Sequence, residues 1–251
     1  MSVELLAAIG GLSFILASLV IGLRLLLLAR RTRQLPEFAI GLALFLMGGL
    51  GYPILSVARM ATGLHVAVRI AFFGLSMLFN MTGMVGVCIF NGRVFHPREK
   101  WPGGVTVGFA SALVGALVLQ SVAPGLRVAA LYNQGAGVRL FMALQGVPLG
   151  WAAFESLRYH RLLVRRCRLG LADPIVADRV GLWGTGMLLD LVISLFGTVL
   201  GCFGIDIAVS PTGNLIMAPL GLTTAGCVWL AFLPPAAYTR RVRARAAASG
   251  A

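Results

Sequence analysis

The stretch Asp173–Gly204, DPIVADRVGLWGTGMLLDLVISLFGTVLGCFG, decides the fold class. Asp173-Pro174 reads as a helix start: Asp accepts from the free N–H groups of the first turn, and Pro suits the first helical position. An amphipathic turn, Ile175 to Arg179, leads into a long apolar run interrupted by a single carboxylate, Asp190. Gly186, Asp190, Ser194, Gly197, Thr198 and Gly201 recur at helical spacing around it. They make one small and polar face, suited to another helix and not to lipid. The stretch therefore reads as a membrane-spanning helix with Asp190 near the bilayer midplane.

Similar runs recur along the chain. Of its 251 residues, 59% are hydrophobic and 12% charged. Soluble domains carry about 25% charged residues. With a mean hydropathy of +0.91, the pattern is that of an all-α, polytopic membrane protein. Seven spans are predicted, at about 5–28, 38–57, 68–90, 105–122, 138–157, 180–203 and 215–238, forming one domain over 1–243. The tail 244–251 is expected to be disordered. Pro53, Pro148 and Pro219 fall inside spans, where they are tolerated and supply hinges.

The net charge of +13 does not point to nucleic acid, because the basic residues sit at the ends of the apolar runs. Sixteen fall on one set of connections: Arg30, Arg31, Arg33, Arg93, Arg98, Lys100, Arg158, Arg161, Arg165, Arg166, Arg168, Arg179, Arg240, Arg241, Arg243 and Arg245. Arg24 lies nearer that side. The opposite set holds Arg59, Arg69, Arg127 and Arg139. The positive-inside rule then puts the N-terminus outside and the C-terminus in the cytoplasm. Trp101, Tyr159 and Tyr238 fall at the inner boundary and Tyr132 at the outer. The heavy use of Arg over Lys points to a GC-rich bacterial genome, hence a bacterial inner membrane. The partners expected are the bilayer, anionic lipid headgroups at the cytoplasmic face, and a cytoplasmic signalling protein. The first run is too long for a cleaved signal and lacks a basic leader.

The segment Arg165-Arg166-Cys167-Arg168-Leu169-Gly170-Leu171-Ala172-Asp173-Pro174, continuing through Arg179 to Trp183, resembles one found in uncharacterised bacterial seven-helix membrane proteins. The resemblance implies the fold and no activity. It treats the fifth connection and the sixth helix as one unit.

Three groups of residues are candidates for function. At 1.5 Å per residue, Asn80 and Asp190 each lie roughly 17 Å inside the membrane. Thr223 and Thr224 are at comparable depth, with Gln145 somewhat further out and Ser194 one turn beyond Asp190. Together they form a midplane layer, either a ligand or proton site or interhelical glue. Asn80 is the first expected partner of Asp190, and Thr223 or Thr224 the next. Arg59, Arg69 and Arg139 cap the outer ends, near His65, Arg127, Glu4 and Asp206. They form either a vestibule for an anion or snorkelling anchors. Arg165, Arg166, Arg168, Asp178 and Arg179 form a cytoplasmic coupling surface or a topology anchor. Arg24 and Glu155 are at matching depth and are a candidate pair.

No cofactor is expected. The seventh span has no Lys for a retinal Schiff base. His65, His96 and His160 lie outside the spans, removing haem ligand pairs and the zinc-hydrolase cluster. Hydrolase and P-loop motifs are absent, and no enzyme activity is expected. Cys88, Cys167, Cys202 and Cys227 form no metal or disulfide pattern. The reading is a receptor-like bundle that senses a small or lipophilic molecule and signals inward. A small-solute or proton-linked transporter or channel, and a structural or assembly subunit, are the alternatives.

Overall fold

A computed structural model of the chain describes residues 3–122, 124–131, 134–205 and 211–249. Tyr132, Asp206 and the last two residues of the expected tail, Gly250 and Ala251, lie outside them, as does the Glu4 side chain. The protein is all helical. The elements are α1 Val3–Thr32, α2 Leu35–Met60, α3 Val66–Phe95, α4 Trp101–Ser121, α5 Pro124–Ala130, α6 Ala136–Arg168, α7 Pro174–Cys202, α8 Pro211–Phe232 and α9 Ala236–Ser249.

Six of these helices, α1 to α4, α7 and α8, are long and apolar enough to cross a membrane, which marks an integral membrane protein. Its surface agrees. Leu12, Leu16, Leu23 and Leu27 form an exposed stripe along α1, while Ser18, Ser76, Asn91, Ser156 and Thr224 are buried. In water that arrangement would be inside out; in lipid only the interior can satisfy polar groups.

The long helices pack as a closed ring in chain order: α1 on α2, α2 on α3, α3 on α4, α4 on α6, α6 on α7, α7 on α8, and α8 back on α1. A contact between α3 and α6 crosses the ring and separates two apolar cores.

Several boundaries differ from the sequence expectation. The connection after the fifth span is mostly helix, because α6 continues through its arginines to Arg168. Arg and Leu are good helix formers, and apolarity marks only the part of a helix that meets lipid. Gly170, at φ 69°, then turns the chain, and Asp173 caps α7 by accepting from the Ile175 N–H at 2.9 Å. The last span ends at Phe232 and not Tyr238, since Pro234-Pro235 cannot continue a helix. The expected disordered tail is helical as far as Ser249.

The kink expected at Pro53 takes another form. Within α2, Phe45–Gly51 is a π-helical stretch between two α-helical pieces. Pro53 has no N–H for the Gly49 carbonyl and its ring crowds that carbonyl. Widening to i→i+5 bonds relieves both problems, and Gly48, Gly49 and Gly51 lower the steric cost. The Ser76 hydroxyl on α3 donates to the Gly51 carbonyl at 2.8 Å and holds the stretch in place.

Candidate functional site

Asp190 lies at the middle of α7, with Gly186 one turn before it. A Cβ at Gly186 would come into van der Waals contact with Cys227 and Val228 on α8, so the two helices lie close there. That close approach sets the Asp190 carboxyl beside Thr224, which is fully buried on α8. The Thr224 hydroxyl nevertheless completes no hydrogen bond, and neither does the buried indole N–H of Trp183. Asp190 and Trp183 both line a cavity of about 40 Å³ at the centre of the ring. Ser18 on α1, Met47 and Gly48 on the π stretch, and Leu149 on α6 complete much of its wall. A space of this size holds about one water molecule. A carboxyl, two unpartnered donors and an apolar wall are the ingredients of a small polar binding site in a low-dielectric interior.

The midplane layer expected from depth is only partly assembled. Asn80 does not reach Asp190. Its amide donates to the Ser76 carbonyl at 2.9 Å and its nitrogen lies against Gly51, so it supports the π stretch of α2. Depth fixes how far a residue lies along a helix, not the direction it faces. Thr223 points outward and bonds the Pro219 carbonyl of its own helix; its neighbour Thr224 is the inward one. Ser194 donates across to the Met142 carbonyl of α6 at 3.3 Å, acting as glue. Gln145 is half-buried on α6.

The outer arginines are not arranged as a vestibule. Arg69 is 7% exposed, and its Nε and Nη2 donate to the Ala58 and Arg59 carbonyls at 2.8 and 3.0 Å. Arg59 donates to the Leu131 carbonyl at 3.1 Å. Arg127 donates twice to the Ser121 carbonyl, at 3.0 and 2.8 Å. In each case a guanidinium closes the carbonyl end of a helix, where unsatisfied oxygens and the negative end of the dipole gather. Arg127 and Arg139 are exposed side chains.

The same device recurs at the arginine-rich face. Arg179 donates to the Ala231 carbonyl at the end of α8. Its neighbour Asp178 accepts from the Tyr238 hydroxyl at 2.8 Å, tying α9 to α7. His160 on α6 hydrogen-bonds the Ala177 carbonyl at 2.7 Å. The base of α7 is thus clamped to α6, α8 and α9. Arg165, Arg166 and Arg168 are exposed on the helical extension of α6.

A second cluster was invisible in the sequence. His96, just beyond α3, places Nε2 3.1 Å from Glu155 of α6 and Nδ1 3.4 Å from Glu99. Glu155 therefore pairs with His96, and the exposed Arg24 is not its partner. The His96 ring packs 4.7 Å from Trp101 and 6.3 Å from Trp151, centroid to centroid. Hydrogen bonds from Trp101 and His96 hold the exposed Glu99 carboxyl below its ordinary pKa. The cluster pins α3, α4 and α6 together at one end. Only the His96-x-x-Glu99 spacing hinted at it; Glu155 comes from a distant part of the chain.

Among the described residues no group of three His, Cys, Asp or Glu side chains is arranged to hold a metal ion. No family model, no curated protein and no solved structure matches the chain.

Proposed function

We propose that the chain is a receptor-like sensor of a bacterial inner membrane. Seven helices span the bilayer, with the N-terminus outside and the C-terminus in the cytoplasm. The seventh crossing is α6, whose polar content comes mainly from its arginine-rich extension. The closed ring in chain order supports this count, since omitting α6 would put its neighbours on the wrong sides. The charge split supports the orientation. Phosphatase fused after Arg245 should be inactive and a fluorescent protein there should be bright; the reverse pattern would reject the topology.

One observation carries the sensing reading: a single helix, α7, lines the central cavity with Asp190 and at its base holds α9 through Asp178 and the end of α8 through Arg179. A small molecule or proton acting at Asp190 would shift α7 against α8 and so loosen or tighten that clamp. The arginines of α9 and of the α6 extension would present the change to a cytoplasmic protein. The cavity is enclosed by six helices, which favours a switch over an open conduit.

The test is coupling between the two ends of α7. Asp190→Asn preserves shape and a donor but removes the acid. In the full chain in bilayers it should change amide hydrogen exchange across Ala236–Ser249 while the assembled protein elutes normally. Asp190→Leu should in addition destabilise the bundle by about 1–2 kcal/mol, the scale of interhelical polar contacts. Unchanged exchange in α9 for Asp190→Asn would reduce Asp190 to glue and remove the sensing reading.

A further inference from the structure

A different part of the molecule offers a second binding site, independent of Asp190. α2 and α4 flank α3 without covering it. The trough between them has a volume of about 360 Å³ and is open to the membrane side. Its floor is the α3 face carrying Leu78, Thr82, Val85 and Ile89, with Phe38 and Val114 on the walls. The lining is almost wholly apolar; the Thr82 hydroxyl is tied to the Leu78 carbonyl at 2.8 Å.

Length and charge identify the occupant. Leu78 to Ile89 covers roughly 16 Å along the helix, close to the ~15 Å depth of one leaflet's hydrocarbon. The volume takes about a dozen methylene-sized groups, each near the ~30 Å³ of a water. One end of the trough meets the arginine-rich boundary. Arg33 precedes the lining residue Leu35 by two positions, and Arg93 follows Ile89 by one helical turn on the same face. Both side chains are exposed. The nearest acid on this corner, Glu37, accepts from the Thr32 hydroxyl.

We propose that this trough holds one acyl chain of an anionic phospholipid from the leaflet on the arginine-rich side, its phosphate drawn to Arg33 and Arg93. The surrounding medium supplies such chains, and two arginines at the mouth select for negative headgroups.

The test uses the full chain in phosphatidylcholine vesicles doped with phosphatidylglycerol or phosphatidylcholine carrying a photoreactive acyl chain, at equal mole fraction. Peptide mapping should show the phosphatidylglycerol probe labelling Leu78–Ile89 several-fold more than the phosphatidylcholine probe, each arginine contributing up to about fivefold. Arg33→Gln with Arg93→Gln should erase that preference. Thr82→Trp should fill the trough and lower labelling by both probes. Val114→Phe does the same from the facing wall if the Thr82 variant fails to assemble. Val199→Trp, on a lipid-exposed face of α7, should change neither. Equal labelling by the two probes, a preference that survives the arginine changes, or labelling unaffected by filling the trough would each overturn the proposal.

Discussion

Gly22→Val should destabilise the bundle by about 3 kcal/mol, near the top of the range for overpacking. At Gly22 the backbones of α1 and α2 touch. A Cβ there would meet the Phe45 N at 2.7 Å, the Phe45 Cβ at 2.9 Å and the Gly41 carbonyl oxygen at 3.0 Å. Two of those three atoms are backbone and cannot swing aside. The contact is reciprocal, since a Cβ on Gly41 would meet the Leu25 Cβ at 2.9 Å and the Leu26 N at 3.0 Å. Small residues at such crossings let membrane helices approach closely enough for dispersion to hold them. Heating followed by size exclusion should show the loss as roughly 10 °C in apparent Tm, using the usual scaling for a chain of this size. Gly108→Ala, at a position with open space around it, should stay within about 0.5 kcal/mol of the parent. Because Gly22 and Gly41 share one crossing, the double valine variant should cost less than the sum of the singles. Parent-like stability in Gly22→Val would mean that α1 and α2 do not cross there.

Arg69→Met should also cost about 3 kcal/mol, from the loss of two hydrogen bonds made by a charged donor. The last turn of α2 has four carbonyls to satisfy. Val57 and Met60 are met by the Ala61 and Thr62 N–H groups at 3.0 and 2.8 Å. Ala58 and Arg59 receive the two arms of the Arg69 fork. Methionine fills the volume and leaves those two oxygens without it. Arg69→Lys keeps the charge but cannot span both carbonyls, so it should fall between. The loss should vary little with salt, because the donor is buried. A variant of normal stability that responds differently to added anions would return Arg69 to the vestibule role.

The apolar runs, the cap at Asp173 and the inward face of Asp190 were legible because each depends on local sequence. The partner of Asp190 was not. Thr223 and Thr224 are adjacent in sequence, yet one faces lipid and the other the core, and only the packing of α8 on α7 decides between them. Asn80 was assigned by depth, but its helix turns it toward Gly51 on the π stretch of α2, and depth along a helix does not report direction. The outer arginines read as charge at a boundary; that three of them meet helix carbonyls follows from loops folding over helix ends. His96 fell outside the apolar windows and was set aside for that reason, although its partners Glu155 and Trp151 come from a helix far along the chain. The charge split itself is legible, and it bears on orientation.

The π stretch of α2 has a mechanical consequence. In hydrocarbon a helix cannot bend by opening backbone hydrogen bonds, because no water replaces them. A π turn keeps its carbonyls occupied while holding roughly one residue more than an α turn would. Letting that surplus residue travel along Phe45–Gly51 would rotate the intervening segment by roughly 100° and advance it by about 1.5 Å. The helix would exchange the face it shows to the core, each step trading one backbone hydrogen bond for another. Met47 and Gly48, which wall the chamber beside Asp190, ride on the part that would turn. A slip of one residue in the second helix would therefore change what Asp190 faces, as a worm gear turns a small advance into a rotation.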